Sequence, residues 1–303
     1  MNHNESEKMY HKSVLIKEVV QYLAPQPGKV YVDATFGGGG HTQAILDSEP
    51  LCKVIALDWD MQAIEQNAAP LCEKYGDRLR VIWGNFALIH RILKKEKIES
   101  IDGILADFGT SQFQIFEKSG FSFRKDSPLD MRMSKAHYKT TAADILNTYS
   151  EQKLAHILFE YGEERLSKRI ARAIVEMRKK RPFKTTQQLA DLVEEIVGTP
   201  KGRKKFIHPA TKTFQALRIE VNHELDNIKG FLASALKLVN PEGRIVCISF
   251  HSLEDRIVKT VFRESNVEIL TPKPVTASLE EIELNPSARS AKLRAARICP
   301  FDR

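Results

Sequence analysis

Two side chains stand where a proton could change hands. Asp107 closes the apolar run Ile101-Asp102-Gly103-Ile104-Leu105-Ala106, and His251 follows the run from Gly243 to Phe250. Each therefore sits at the carboxyl end of an expected strand, where a carboxylate or imidazole can accept a proton from a bound group. Upstream, Val30-Tyr31-Val32-Asp33 leads into four consecutive glycines, Gly37 to Gly40, and then through His41 and Thr42 into Ala44-Ile45-Leu46. Strand, glycine turn and helix in that order bind nucleotide-like ligands at the carboxyl edge of a sheet. Glycine is needed because tight turns use positive φ and because a Cβ would hold a ligand off the backbone. A second acid, Asp58, ends Val54-Ile55-Ala56-Leu57 and suits the hydroxyls of a ribose. Phe86 lies just past a third strand, Arg78 to Trp83, and could stack on an adenine or fill the core.

The dinucleotide fingerprint GxGxxG is not met: counted from Gly37 its third glycine would fall on Thr42, and from Gly38 on Gln43. That disfavours nicotinamide and flavin cofactors and leaves a single adenosine with a short charged tail, with S-adenosylmethionine as the leading candidate. Methyl transfer from a sulfonium is an in-line displacement, so a protein contributes mainly alignment, which can supply ~7–11 kcal/mol. If the acceptor is an exocyclic amine, a carboxylate that accepts its N–H frees the lone pair for the new bond. Many amine-directed nucleic-acid methyltransferases carry Asp/Asn-Pro-Pro-aromatic at the position of Asp107. Here the residues are Asp107-Phe108-Gly109-Thr110-Ser111.

These residues need a sheet to hold them. A helix is expected over 11–24 and stopped by Pro25, another from Ala63 to near Pro70, and a third from Leu88 to Leu93. The β-α alternation stops after Asp107. From about Thr141 to Asn240 the spacing is helical, with stripes at Leu154, Ile157, Leu158 and Tyr161, at Ile170, Ile174 and Met177, and at Leu189, Leu192, Val193, Ile196 and Val197. The strand signal returns at Gly243. A helix follows with Ser252 as its expected N-cap and Asp255 three residues on. A short strand near Val267 to Leu270 and a final edge strand over Lys292 to Ile298 complete the reading. The sequence thus implies an α/β fold: four β-α units, a helical insertion leaving the tip of strand four beside the ligand crevice, and a resumed sheet. Residues 1–115 and 216–303 are the expected core, and 116–215 the insertion for substrate recognition.

Composition narrows the partners. The 303 residues carry a net charge of +7. Residues 151–215 hold 15 Lys/Arg against 8 Asp/Glu, an excess equal to the whole net charge. Its dense parts are Arg178-Lys179-Lys180-Arg181 and Lys201-Gly202-Arg203-Lys204-Lys205. Two basic clusters in one segment of a balanced chain point to a polyanion, with Lys179, Lys180, Arg181, Arg203, Lys204 and Lys205 as its contacts. Phe121 and Phe123 are candidate stacking partners for a base taken out of its stack. No apolar run approaches the ~18 residues of a membrane span. Cys52, Cys72, Cys247 and Cys299 have no CxxC spacing, so free thiols, no metal and a cytoplasmic location are expected.

DATFGGGGH (33–41), GFSFRKDSPLDMRM (120–133), ATKTFQALRIEVNHEL (210–225), GRIVCISFHSLEDRIVK (243–259) and NPSARSAKLR (285–294) together resemble the RsmH (MraW) family of bacterial 16S rRNA cytosine-N4 methyltransferases. The resemblance runs from His11 to Arg297. It implies a class I methyltransferase core, Rossmann-like and mostly parallel, with a helical insertion after strand four. It further implies S-adenosylmethionine as cofactor and a cytidine in the decoding region of the small ribosomal subunit as substrate. Cofactor contacts carry over to Gly39, Gly40, His41, Asp58, Phe86, Asp107 and Gln114; His41 and Gln114 come from the resemblance alone. Departures from the family pattern fall at Ser13, Gln112, Ser119 and Ser127, with further changes at Phe108 and Thr110. A homodimer is compatible with the sequence. Two other readings stay open: a methyltransferase with another RNA or protein amine acceptor, and an RNA-binding assembly factor without turnover.

Overall fold

A computed structural model describes residues 13–109, 119–123, 125–198 and 208–300. The chain divides into two compact units, residues 1–111 with 225–303, and residues 112–224.

The first unit is built on a seven-stranded sheet of order β3-β2-β1-β4-β5-β7-β6. Its strands are β1 (Val30–Asp33), β2 (Lys53–Asp58), β3 (Leu79–Trp83), β4 (Ile101–Asp107), β5 (Val239–Ser249), β6 (Val267–Ile269) and β7 (Lys292–Ile298). β1 to β5 are parallel and β7 runs antiparallel to both β5 and β6. This is the mostly parallel, Rossmann-like sheet that the sequence implied. β7 was expected at the edge but lies inside the sheet. It is buried along most of its length, and the short, largely exposed β6 takes the edge instead.

Strand residues alternate between two cores, as period-two geometry requires. Val32, Ile55, Leu57, Ile104, Ile245 and Cys247 face one layer, packed on α4 (Ile89–Lys95), α10 (Glu224–Leu238) and α11 (Ser252–Glu264). Tyr31, Val54, Ala56, Leu105, Val246 and Ile248 face the other, packed on α1 (Ile16–Leu23), α2 (Gly40–Ser48) and α3 (Met61–Tyr75). α1 is shorter than expected because Leu15 and Ala24 both adopt left-handed backbone, at φ 53 and φ 47. α3 runs through Pro70 to Tyr75. Pro70 removes one hydrogen bond to Gln66, and both residues are exposed, so water can satisfy the freed carbonyl. The α11 cap is His251, not Ser252: Glu254 at the third position returns its carboxylate to the backbone N–H groups of Phe250 (2.7 Å) and His251 (3.2 Å).

The second unit is helical: α5 (Ala142–Thr148), α6 (Glu151–Glu160), α7 (Ser167–Lys180), α8 (Thr186–Val197) and α9 (Thr211–Asn222). The stripes read from the sequence form its core, with Leu154, Ile157, Leu158, Ile170, Ile174, Leu189 and Val193 all buried. The boundary expected at 215/216 would cut α9 in half. The helix stays whole because Phe214, Leu217 and Val221 pack into this core. No helix among the described residues is long and apolar enough to cross a membrane.

Candidate functional site

In the strand order, β1 and β4 are neighbours although three β-α units separate them in sequence, so the order reverses between them. A crevice opens at the carboxyl ends of such a pair. Asp33 ends β1, Asp58 ends β2 and Asp107 ends β4. The three acids come to one edge, and each is used differently.

Asp33 is fully buried and holds the turn from below. It accepts hydrogen bonds from Thr35 N–H (3.1 Å) and from the Thr42 hydroxyl (2.7 Å), one residue on each side of the glycine run. Asp58 holds the same turn from the side, accepting from Gly37 N–H at 2.7 Å and from Asp60 N–H at 2.8 Å. The Gly37 carbonyl is taken by the Asn67 side chain at 3.2 Å. Burial raises the Asp58 pKa to about 6, against the lowering effect of those two backbone N–H groups, with the charges of Asp60 and Asp33 adding to the rise. Gly39 then enters α2 with φ +78, and a Cβ there would lie 2.3 Å from Leu71 Cδ1 and 3.1 Å from the Phe36 ring. A Cβ on Gly40 would meet the Ser13 hydroxyl at 2.4 Å. Ser13 thus lies against the loop itself.

His41 is buried in the first turn of α2. Its Nε2 lies 2.8 Å from the Val14 carbonyl, which can only accept, so Nε2 carries the proton. Its Nδ1 lies 4.0 Å from Asp107 Oδ2. Asp107 is fixed by its own backbone, whose N–H donates to the Thr35 hydroxyl at 2.8 Å. Its Oδ1 is buried and has no hydrogen-bond partner among the described residues. Burial first, then the charges of Asp33 and Glu254, push its pKa well above the carboxylate range. A buried carboxyl oxygen without a donor is costly unless a ligand supplies one. The site is therefore suited to a cationic or N–H-bearing group.

Phe86 is nearly buried in an aromatic cluster. Its ring centroid lies 5.6 Å from Trp59, 5.9 Å from Phe108 and 5.8 Å from Phe231. It fills the core with Phe231 and shares the sheet edge with Trp59, the residue after Asp58. Of the two sequence readings of Phe86, its burial and ring contacts show the core one. His251 caps α11 with Nε2 3.2 Å from Glu254 Oε1, and both of its ring nitrogens are buried without a hydrogen-bond partner among the described residues. Gln114, Gln112, Arg203, Lys204 and Lys205 lie outside the described residues.

Sequence reasoning missed Asp33, Thr35, Thr42 and Asn67 as supports of the loop, and Trp59 and Phe108 as neighbours of Phe86. Asn67 carried a faint signal, since asparagine is a poor residue for a helix interior unless its side chain has work elsewhere. In the second unit, Phe123 packs its ring against His208 (4.5 Å between centroids) and Phe214 (4.9 Å), so it belongs to that unit's own packing. Within the basic run, Arg178 turns inward and donates to the carbonyls of Leu146 and Tyr149, both at 2.7 Å. Lys179 meets Glu176 at 2.8 Å, while Lys180 and Arg181 are exposed.

The family model that matches this chain, over residues 8–299, is described as the MraW methylase family. Three similar relatives are each named ribosomal RNA small subunit methyltransferase H. That of Sulfurihydrogenibium sp. is 47% identical over 291 residues, covering 95% of this chain and 98% of the relative. That of Picosynechococcus sp. is 48% identical over 290 residues, covering 95% and 96%. The Carboxydothermus hydrogenoformans relative is 44% identical over 311 residues, covering 96% and 98%.

Proposed function

Because the chain belongs to the MraW methylase family, we propose that it transfers a methyl group from S-adenosylmethionine to N4 of a cytidine in the decoding region of 16S rRNA. The observation that carries the reading is the buried, unpartnered Asp107 Oδ1 at the tip of β4, beside His41. Bound there, the cofactor supplies a methyl group activated by a positive sulfur. The residues fit such a group: Gly39, Gly40 and His41 would hold its methionine part, Asp58 its ribose and Phe86 its adenine. Asp107 and Gln114 would line the place of transfer.

The chain's own contribution is alignment and charge. Two strand-end acids, Asp33 and Asp58, pin the loop before any ligand arrives, so little order has to be imposed on binding. N4 of cytosine is a weak nucleophile because its lone pair is shared with the ring. The cofactor would supply the electrophilic methyl carbon and its sulfur would keep the bonding pair, so the chain's own residues would have to take only the proton that N4 sheds. Asp107 is the acceptor favoured by position, since its raised pKa makes the carboxylate a competent base once ionised. His251 is the weaker candidate because it follows β5 as the cap of α11, its Nε2 3.2 Å from the Glu254 carboxylate, and does not share the edge of β1 and β4 with His41 and Asp107. Lys179, Lys180, Arg181, Arg203, Lys204 and Lys205 would meet phosphates.

The relatives' names support a small-subunit rRNA substrate. The choice of cytosine N4 rests on the resemblance and on Asp107. Nucleoside mass spectrometry of 16S rRNA from a deletion strain tests it, with loss of N4-methylcytidine and its return on complementation expected. Unchanged N4-methylcytidine, with another methylated nucleoside lost instead, would refute the acceptor. No change in any rRNA nucleoside would favour an assembly factor without turnover.

A further inference from the structure

The second unit carries a surface groove of about 1050 Å³ between α6 and α7, floored in part by Ile196 of α8. Its construction is unusual for a solvated pair of helices. Leu154, Ile157 and Leu158 bury one face of α6. The opposite face carries Gln152, Ala155, His156 and Phe159, spaced i, i+3, i+4, i+7. α7 answers with Arg169, Arg172, Ala173 and Glu176 at the same spacing. Ala155 and Ala173 leave the floor open, and Phe159 lies 56% exposed in the groove. Phe159 is the last of the four α6 residues, one short of the end of that helix, and takes no part in the unit's buried core.

Charge says what the groove suits. Lys168 and Arg169 line it with no acidic partner among the described residues. Its two acids are already met by cations: Glu151 by Arg172 at 3.8 Å, and Glu176 by Lys179 at 2.8 Å. The same helix ends at Lys180, and Arg181 follows it. A second copy of the chain would bring two such basic faces together, which like charges oppose. An apolar ring framed by guanidinium and ammonium groups is the combination by which proteins hold single-stranded nucleic acid, bases on the ring and phosphates on the rim.

We infer that the α6–α7 groove seats a single-stranded segment of RNA, with a base stacked on Phe159 and phosphates on Lys168 and Arg169. This rests on the rRNA reading above but assigns a contact that the basic clusters alone do not. Stacking and charge contribute separately. Phe159→Ala therefore lowers affinity and leaves the salt dependence intact, whereas changes at the two cations lower both.

The test measures binding of a fluorescein-labelled single-stranded oligoribonucleotide to the full chain by anisotropy across a salt series, with a duplex of equal length as comparison. Phe159→Ala is expected to weaken the single strand roughly 5- to 100-fold, and Phe159→Trp to restore it. Lys168→Gln with Arg169→Gln is expected to reduce the log–log salt slope by about 1.4, or ~0.7 per phosphate lost. Calorimetric affinity for S-adenosylmethionine is expected to stay unchanged in every variant. Single-strand affinity unchanged in Phe159→Ala, or equal losses for single strand and duplex, overturns the groove while rRNA methylation by the wild type still stands. Wild type that neither binds nor methylates RNA brings down the functional reading itself. Sedimentation showing a dimer that Phe159→Ala dissociates assigns the groove to a second copy and overturns the proposal.

Discussion

Asp58 makes the clearest quantitative test, because its carboxyl is both a support of the glycine loop and the expected ribose contact. Its pKa stands at about 6, against an ordinary aspartate near ~3.9. Only the ionised form offers both oxygens as acceptors, and Gly37 and Asp60 N–H already occupy one position on each. A proton on either oxygen removes an acceptor that the loop or the ribose needs. If binding is confined to the ionised form, affinity halves at about pH 6 and at pH 5 is about tenfold below its plateau. Isothermal calorimetry with S-adenosylmethionine, from about pH 5 to 8 at constant ionic strength, measures the curve. Asp58→Asn keeps one acceptor and does not titrate. It should bind roughly 10- to 100-fold more weakly at neutral pH, from the loss of one charge-assisted hydrogen bond of ~1.5–3 kcal/mol, and its profile should lack the step near 6. A flat wild-type profile, or the same step surviving in Asp58→Asn, refutes the assignment.

Folding responds to the same group with the opposite sign. A carboxyl whose pKa rises on folding is held protonated more firmly by the native state than by the unfolded chain. Its contribution to stability is therefore full below the unfolded value of ~3.9 and lost as pH rises through about 6. The difference is roughly 3 kcal/mol, so the cofactor-free protein should lose thermal stability over that window more steeply than Asp58→Asn.

Asp107→Asn should abolish a proton release that accompanies cofactor binding to the wild type. Burial with Asp33 and Glu254 nearby favours the neutral carboxyl, while a bound cation favours the charged one; calorimetry in buffers of different ionisation enthalpy counts the proton. The same variant should slow methyl transfer by about 10²–10⁴-fold in a single-turnover assay. Gly39→Ala forces a left-handed alanine at φ +78 with its Cβ against Leu71, so urea denaturation should report a loss of roughly 1–2 kcal/mol, with cofactor binding weakened further. Arg178→Ala should destabilise the protein by ~1.5–3 kcal/mol in the same assay, by stripping a charged donor from two carbonyls. It should leave the salt slope of RNA binding alone. Lys180→Ala should do the reverse, lowering that slope by about 0.7 with no change in the melt.

Much of the site was legible because strand-ending acids and a glycine turn are local features. Asp33, Asp58 and Asp107 each terminate an apolar run, and Gly37 to Gly40 require backbone that few other residues tolerate. The helical stripes of the second unit were legible for a similar reason, since their spacing reports a buried face directly. Local rules failed where a neighbour from elsewhere decided the outcome. Pro70 reads as a helix stop, yet α3 passes through it because solvent can take the freed carbonyl. Ser252 reads as a cap, yet the buried Glu254 carboxylate makes His251 the cap. Arg178 reads as part of a cationic run, yet two carbonyls about thirty residues earlier draw it inward.

By itself, then, the sequence determined which residue types line the sheet edge, the helical character and charge of the second unit, and the family to which the chain belongs. Tertiary structure alone decided what each acid does. Asp33 uses its oxygens on Thr35 and Thr42 and so builds the loop, while Asp107, three strand ends further along the sequence but on the neighbouring strand of the sheet, keeps one oxygen unpaired. The physical reason is that a carboxyl's role depends on its donors and on its distance from water. Those are set by the pairing of β1 with β4 across seventy residues of chain, which no local pattern encodes.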